Sequence, residues 1–263
     1  MDKSISLVDI FYSAGYKTFW LSNQSPVGVY DNAVFNIAQT AENMKFVNIS
    51  SNSSFESTLK KSYDELLLPE LSKNLMDNPS QNLFITIHLM GSHTSYDKRY
   101  PPKFEYFKNA IDKNQKIIDH YDNSILYTDY VLDSMLNMLS RFSSKHNAIT
   151  SFIYCSDHGE NVFDYNNTAG HDWSGYLPNC IVEIPLIFWL SDNYKDNYSD
   201  KTAHILQNKD FPFMNDDLFH VILDLQNIET KYFNSSKSVI NENYKIPQKR
   251  VLEDGREYIP PKK

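Results

Sequence analysis

Three near-continuous apolar runs, Leu83–Met90, Ile149–Cys155 and Ile184–Leu190, constrain this chain more than any other feature. Short unbroken runs of this kind lack the in-and-out alternation of a half-exposed sheet and read as buried strands. Between the first two lies a helical pattern from about Asp112 to Phe142, whose apolar positions Ile118, Tyr121, Ile125, Val131, Leu132, Met135 and Leu139 keep a helical period. Strands that alternate with helices imply right-handed crossovers and a mainly parallel sheet with helices on both faces. The expected class is therefore α/β. No Pro/Gly/Ser-rich linker or composition shift divides the 263 residues, so one domain over residues 1–263 is expected.

The rest of the chain fits around those runs. Ser4 is a plausible N-cap for a helix with Leu7, Val8, Ile10 and Phe11 at helical spacing, and Gly15 stops it in a left-handed conformation. Thr18–Ser22 reads as a strand. Asn23–Ser54 shows no sustained period and reads mostly as loop, with a short helix near Asn36–Met44. Glu56–Met76 reads as a helix broken or kinked at Pro69. Pro185 suits the start of the third apolar strand. A last helix, Asp216–Leu225, precedes a polar tail.

Charge and composition exclude several classes of function. The net charge is −8 and the pI is near 5.5, with Lys and Arg scattered rather than gathered in a stripe, which argues against a nucleic-acid partner. No apolar stretch approaches the roughly 20 residues needed to cross a bilayer, and Met1-Asp2-Lys3-Ser4 lacks a signal-peptide core. The chain as given therefore reads as soluble. Its two cysteines make no disulfide framework, and Cys155 reads as a packed thiol rather than half of a bridge to Cys180.

The chemistry concentrates after the second apolar run. Ser156-Asp157-His158-Gly159-Glu160 sets a carboxylate, an imidazole and a glycine at a strand end, where α/β sheets carry their sites. Asp and neutral His are good ligands for first-row metals, and a glycine allows a sharp turn. The same triplet also occurs as a plain surface turn, so it does not decide the matter alone. Two more glycine-adjacent histidines, His93 in Gly91-Ser92-His93 and His171 in Gly170-His171-Asp172, strengthen the metal reading. His88 lies inside an apolar run and reads as a strand-end core residue. His120, His146, His204 and His220 read as structural or solvated.

Taken in order, Met90-Gly91-Ser92-His93 with Lys98-Arg99-Tyr100-Pro101-Pro102-Lys103-Phe104, Tyr121–Ile125 with Asp129-Tyr130, and Ser156–Glu160 with Gly170-His171 resemble the phosphoethanolamine transferases. These are membrane-anchored enzymes of the alkaline phosphatase and sulfatase superfamily. Leu7–Gln24 and Asn215–Leu225 look similar too, so the likeness covers most of the chain. It implies an alkaline phosphatase-like three-layer sandwich. It also implies a catalytic Zn2+ ligated by Asp157 and His158, with His93 and His171 contacting the phosphoryl group or a second zinc. Glu160 matches the motif and is expected to order the loop or a ligand histidine. The implied reaction moves phosphoethanolamine from phosphatidylethanolamine to a lipopolysaccharide acceptor, lipid A or a core sugar, or to another periplasmic glycan, at the periplasmic face of the bacterial inner membrane.

The family's nucleophile is a threonine, placed with an acidic metal ligand upstream of the segment that Leu7–Gln24 resembles. The resemblance therefore implies that this chain begins after the first strand, the nucleophile helix and the membrane anchor, and that alone it binds zinc weakly and transfers nothing. Two rivals stand beside this reading. One is a sulfatase or phosphodiesterase, a hydrolase of the same superfamily, although neither Cys155 nor Cys180 lies in a Cys-x-Pro-x-Arg context. The other is a non-catalytic fragment that binds lipid headgroups.

Overall fold

The computed structural model describes residues 5–26, 32–48, 61–171, 177–252 and 255–258. The chain forms two compact units. Unit 1 comprises Met1–His146 and Glu160–Tyr176; unit 2 comprises Asn147–Gly159 and Leu177–Lys263.

Unit 1 is built on a three-stranded parallel sheet. Helix α1, Leu7–Ser13, leads into strand β1, Lys17–Ser22, the middle strand of the order β2-β1-β3. The N-cap of α1 is Ser6, whose hydroxyl accepts from the Asp9 amide while the Asp9 carboxylate accepts from the Ser6 amide. This reciprocal capping box displaces the expected cap at Ser4, which lies outside the described residues. Gly15, at φ +85°, ends the helix as expected.

The expectation of mostly loop through Asn23–Ser54, with a short helix near Asn36–Met44, needs correction: the helix lies earlier and a strand stands at the end of its expected range. Helix α2, Asn32–Ala38, and strand β2, Asn43–Phe46, occupy part of it, and residues 27–31 and 49–54 lie outside the described residues. Strand β2 runs parallel to β1, with Phe19 opposite Asn43 and Ser22 opposite Phe46. Its four residues are too few and too exposed to show a pattern, so the ladder to β1 rather than local preference makes it a strand. Val8, Trp20 and Ala38 form the core here, with Phe46 and Phe84 packed against them.

Helix α3 spans Leu67–Asp77 and is shorter than the expected Glu56–Met76, of which residues 56–60 lie outside the described residues. Pro69 falls in its first turn, where a missing amide breaks no helical bond, so it opens the helix instead of kinking it. Strand β3, Leu83–His88, pairs parallel with β1 along its whole length, from Lys17 opposite Leu83 to Ser22 opposite His88. His88 is the expected strand-end residue; its Nδ1 lies 3.2 Å from the Ser22 hydroxyl.

Helix α4, Lys113–His146, is 34 residues long, about 51 Å at 1.5 Å per residue. Its C-terminal half buries Val131, Leu132 and Met135 as the stripe predicts. The N-terminal half departs from the stripe. Ile125 is exposed, while Asp119, Asn123, Ser124 and Thr128 are buried. Asn123 explains part of this, because it bonds the backbone of a preceding loop.

Unit 2 pairs strand β4, Ser151–Cys155, with strand β7, Leu186–Leu190, in register from Ser151 opposite Leu190 to Cys155 opposite Leu186. The two strands run antiparallel, so the expectation of β4 as a central parallel strand is corrected at this contact. An apolar run reports burial and carries no direction, which only the partner decides. The short pair β5, Asn161–Val162, and β6, Ala169–Gly170, lies in unit 1, and α5, Asn179–Val182, in unit 2. The helices α6, Asp192–Asn197, α7, Ser199–Asn208, and α8, Leu218–Leu225, enclose a core of Leu190, Tyr194, Val221, Leu225, Val239 and Ile240. In the tail, β8, Arg250–Val251, pairs with β9, Glu257–Tyr258.

Both cysteines are free thiols. Burial, with a smaller contribution from Asp157, pushes the Cys155 thiol up to about 11.

His220 makes unit 2 sensitive to pH. Burial first, and then Lys237, hold its imidazole below the usual value against the pull of Asp217, and its Nδ1 accepts from the Asn234 amide at 3.3 Å. That bond needs the neutral ring. A histidine with a depressed folded value binds its proton more weakly in the folded state, so its penalty is present below the folded value and fades as pH rises past the unfolded one. The unfolding midpoint of unit 2 should therefore rise as pH climbs towards and past the ordinary histidine value of about 6.5. His220→Gln should flatten that part of the profile, as thermal unfolding in a pH series would read.

Candidate metal centre

The candidate ligands of unit 2 stand at the end of β4. Asp157 Oδ2 and His158 Nε2 are 3.9 Å apart, and the Asp157 side chain is 87% exposed. Two ligand atoms bound to one tetrahedral zinc stand about 3.3 Å apart, so a small rotation of the exposed carboxylate closes the difference. The His158 Nδ1 lies 2.8 Å from the Gly159 carbonyl oxygen. A nitrogen on a carbonyl donates, which leaves Nε2 as the lone-pair nitrogen, the tautomer a metal requires. The Ser156 hydroxyl donates to the His158 carbonyl at 2.7 Å and fixes the turn.

Gly159 acts in a way the sequence does not suggest. The reason for glycine is close approach, not a left-handed turn: a Cβ at position 159 would lie 2.0 Å from the Cys180 carbonyl oxygen. The Gly159 amide donates to the Ile181 carbonyl at 2.8 Å, so the loop that carries Asp157 and His158 lies flat against α5.

In unit 1, Glu160 and His171 stand together. Glu160 is 8% exposed, accepting from His171 Nδ1 at 2.8 Å through Oε1 and from the Tyr96 hydroxyl at 3.1 Å through Oε2. The carboxylate therefore orients the imidazole, again presenting Nε2 as the lone-pair nitrogen. Burial, then the Glu160 charge, hold the Tyr96 phenol well above its ordinary range, which keeps it a donor. His158 and Glu160 are joined through Gly159 alone, so the ligand candidates of the two units are neighbours along the chain.

His93 is placed by its own loop and shows no hydrogen bond to Glu160 or His171 among those of the described residues. Its Nδ1 lies 2.7 Å from the Thr94 carbonyl. Arg99, 2% exposed, donates through Nε to the His93 carbonyl at 2.9 Å and through a second nitrogen to the Thr94 carbonyl at 3.2 Å. The start of the same loop hangs on Asp64, which accepts from the Met90 and Gly91 amides at 2.9 and 2.8 Å and from the Asn23 side chain at 2.7 Å. Burial raises the Asp64 carboxyl, opposed by those three bonds and by the Arg99 charge. Sequence reasoning missed Asp64, Tyr96 and Arg99 as supports. Only Arg99, within Arg99-Tyr100-Pro101-Pro102, carries any motif signal.

Residues 1–228 match the sulfatase family. The chain belongs to that family. Among curated sulfatase-family relatives, phosphoethanolamine transferase EptA of Escherichia coli (strain K12) is 31% identical over 188 residues, 68% of this chain and 34% of that protein. EptC of the same strain is 25% identical over 250 residues, 91% of this chain and 41% of that protein. The chain thus spans well under half the length of these relatives. Among solved structures, the C-terminal periplasmic domain of EptC from Campylobacter jejuni is similar with a TM-score of 0.71 and 26% identity, over 91% of this chain and 71% of that one. The corresponding Escherichia coli domain, solved in complex with Zn, gives 0.79 at 24% identity, over 92% and 67%. The expected alkaline phosphatase-like α/β fold is therefore the fold of this sulfatase-family chain.

Proposed function

We propose that this chain supplies metal-binding and phosphoryl-contacting residues of a zinc-dependent phosphoethanolamine transferase. Its donor is phosphatidylethanolamine and its acceptor a lipopolysaccharide group, lipid A or a core sugar, at the periplasmic face of the bacterial inner membrane. The observation that carries the reading is the pair Asp157 and His158, with His158 held by the Gly159 carbonyl in the metal-binding tautomer. The names of the curated relatives support the reaction class.

In this reading Asp157 and His158 hold zinc, which when bound lowers the pKa of a hydroxyl and neutralises phosphodiester charge. His171, aimed by Glu160, offers its Nε2 lone pair to a second zinc when neutral, and only as the imidazolium does it, like His93, donate to the non-bridging phosphoryl oxygens or protonate the departing alkoxide. A threonine outside these residues attacks phosphorus, and the bond to diacylglycerol breaks as that alkoxide takes a proton. The acceptor group then attacks the phosphothreonine, takes the phosphoethanolamine and restores the threonine hydroxyl.

Titration with chelator-buffered zinc tests the reading. The chain should bind zinc weakly, and Asp157→Ala or His158→Ala should each weaken binding by roughly a hundredfold. Glu160→Gln should cost roughly tenfold through misalignment of His171. Zinc affinity indifferent to Asp157 and His158 would sink the proposal.

A further inference from the structure

The segment Lys103–Lys116 exposes apolar side chains and yet is held firmly. Ile111 is 91% exposed, Tyr106 73% and Phe107 36%, the Tyr106 and Phe107 rings meeting edge-on at 5.2 Å. Their backbone is pinned by Asn123, which is fully buried. Its Oδ1 accepts from the Tyr106 and Phe107 amides, each at 2.8 Å, and its side-chain nitrogen donates to the Phe107 carbonyl at 2.7 Å. A buried amide committed to three bonds with one loop fixes that loop's conformation. What it fixes here is the presentation of the Tyr106 and Phe107 rings to solvent, with Ile111 exposed four residues on, which costs solubility unless something covers them.

Charge says what covers them. The chain as a whole carries −8, but Lys103–Lys116 holds four lysines (103, 108, 113, 116) against Glu105 and Asp112, a local net of +2. Lys108, Lys113 and Lys116 are exposed, and the last two lie in the first turn of α4, where the helix dipole disfavours cations. Asp112 offsets part of this by accepting from the Gln115 amide at 2.8 Å. Tyr and Phe rings beside lysines are the side chains that settle at a lipid–water boundary, with rings among the upper acyl chains and ammonium groups at anionic headgroups.

We infer that the Lys103–Lys116 segment docks unit 1 onto an anionic lipid surface, with Tyr106, Phe107 and Ile111 inserted and Lys108, Lys113 and Lys116 on the headgroups. This does not depend on the proposed reaction. Sedimentation of the full chain with vesicles tests it, comparing phosphatidylglycerol mixed into phosphatidylcholine with phosphatidylcholine alone. The chain should partition onto the anionic vesicles and come off in high salt. Tyr106→Ser with Ile111→Ser should weaken partitioning roughly tenfold or more. Lys108→Gln, Lys113→Gln and Lys116→Gln together should weaken it by roughly a hundredfold, about fivefold for each lysine. Tyr106→Trp with Ile111→Phe should keep it, whereas Met76→Ser and Leu206→Ser, at residues 68% and 67% exposed elsewhere, should change nothing. The inference is overturned by absence of binding, by equal binding to both vesicle types, or by equal losses in the Met76 and Leu206 variants. Self-association abolished by Tyr106→Ser with Ile111→Ser would also overturn it, in favour of a second copy of the chain.

Discussion

Gly159→Ala should dislodge the Asp157–His158 loop of unit 2 and, under the proposed function, take zinc binding with it. The added methyl meets backbone, the Cys180 carbonyl oxygen at 2.0 Å and its carbon at 3.0 Å, and no rotamer relieves that. Overpacking against flexible side chains already costs about 1–3 kcal/mol. Moving the loop away also gives up the Gly159–Ile181 hydrogen bond, worth about 1 kcal/mol more. A sum of about 2–4 kcal/mol is a gain in local opening of roughly thirtyfold to several hundredfold. Hydrogen exchange across residues 153–162 should speed accordingly, and zinc affinity should fall with it. Cys180→Gly should not rescue the variant, because the obstacle is main chain. Normal zinc affinity in Gly159→Ala would mean the loop does not press on α5.

Asp64→Ala should weaken unit 1 by roughly 3–5 kcal/mol, the usual result of removing one member of a buried charged set. Its carboxylate serves the Met90 and Gly91 amides and Asn23, and its charge offsets that of the buried Arg99. An alanine leaves the Met90 and Gly91 amides without this acceptor, Asn23 with only the Ser62 carbonyl, and Arg99 without this opposite charge. Exchange should accelerate in β1, β3 and the His93 loop together, since Asn23 follows β1 and Met90 follows β3. Asp64→Asn should recover part of the loss by keeping one acceptor oxygen. Acceleration confined to the His93 loop, with the strands unchanged, would show that Asp64 supports the loop alone.

The placement of Asp157 and His158 side by side at the end of β4 was legible because it is local: a carboxylate and an imidazole after an apolar run need no knowledge of distant partners. The orientation of His158 by Gly159 is equally local. Strand direction was not legible, since β4 and β7 are apolar whichever way they pair. Strand β2 was hidden for a related reason, its extended form being imposed by β1 on four mostly exposed residues. The true cap of α1 lay within reach, because the spacing of Ser6 and Asp9 is that of a capping box. The purpose of Gly159 was out of reach, because its neighbour Cys180 lies in a segment whose approach no pattern announces. The same holds for Asp64 and Arg99, polar residues whose burial follows from the loop they support.

The Cys155 thiol, pushed up to about 11, offers a further handle. Only the thiolate reacts, and at neutral pH a group held there is ionised in about one molecule in ten thousand. An alkylating reagent should therefore bypass Cys155 while β4 stays packed and modify it when the strand opens. Lying two residues before Asp157, the sulfur becomes a built-in clock for the exposure of the Asp157–His158 loop, readable by mass without engineering any label into the chain.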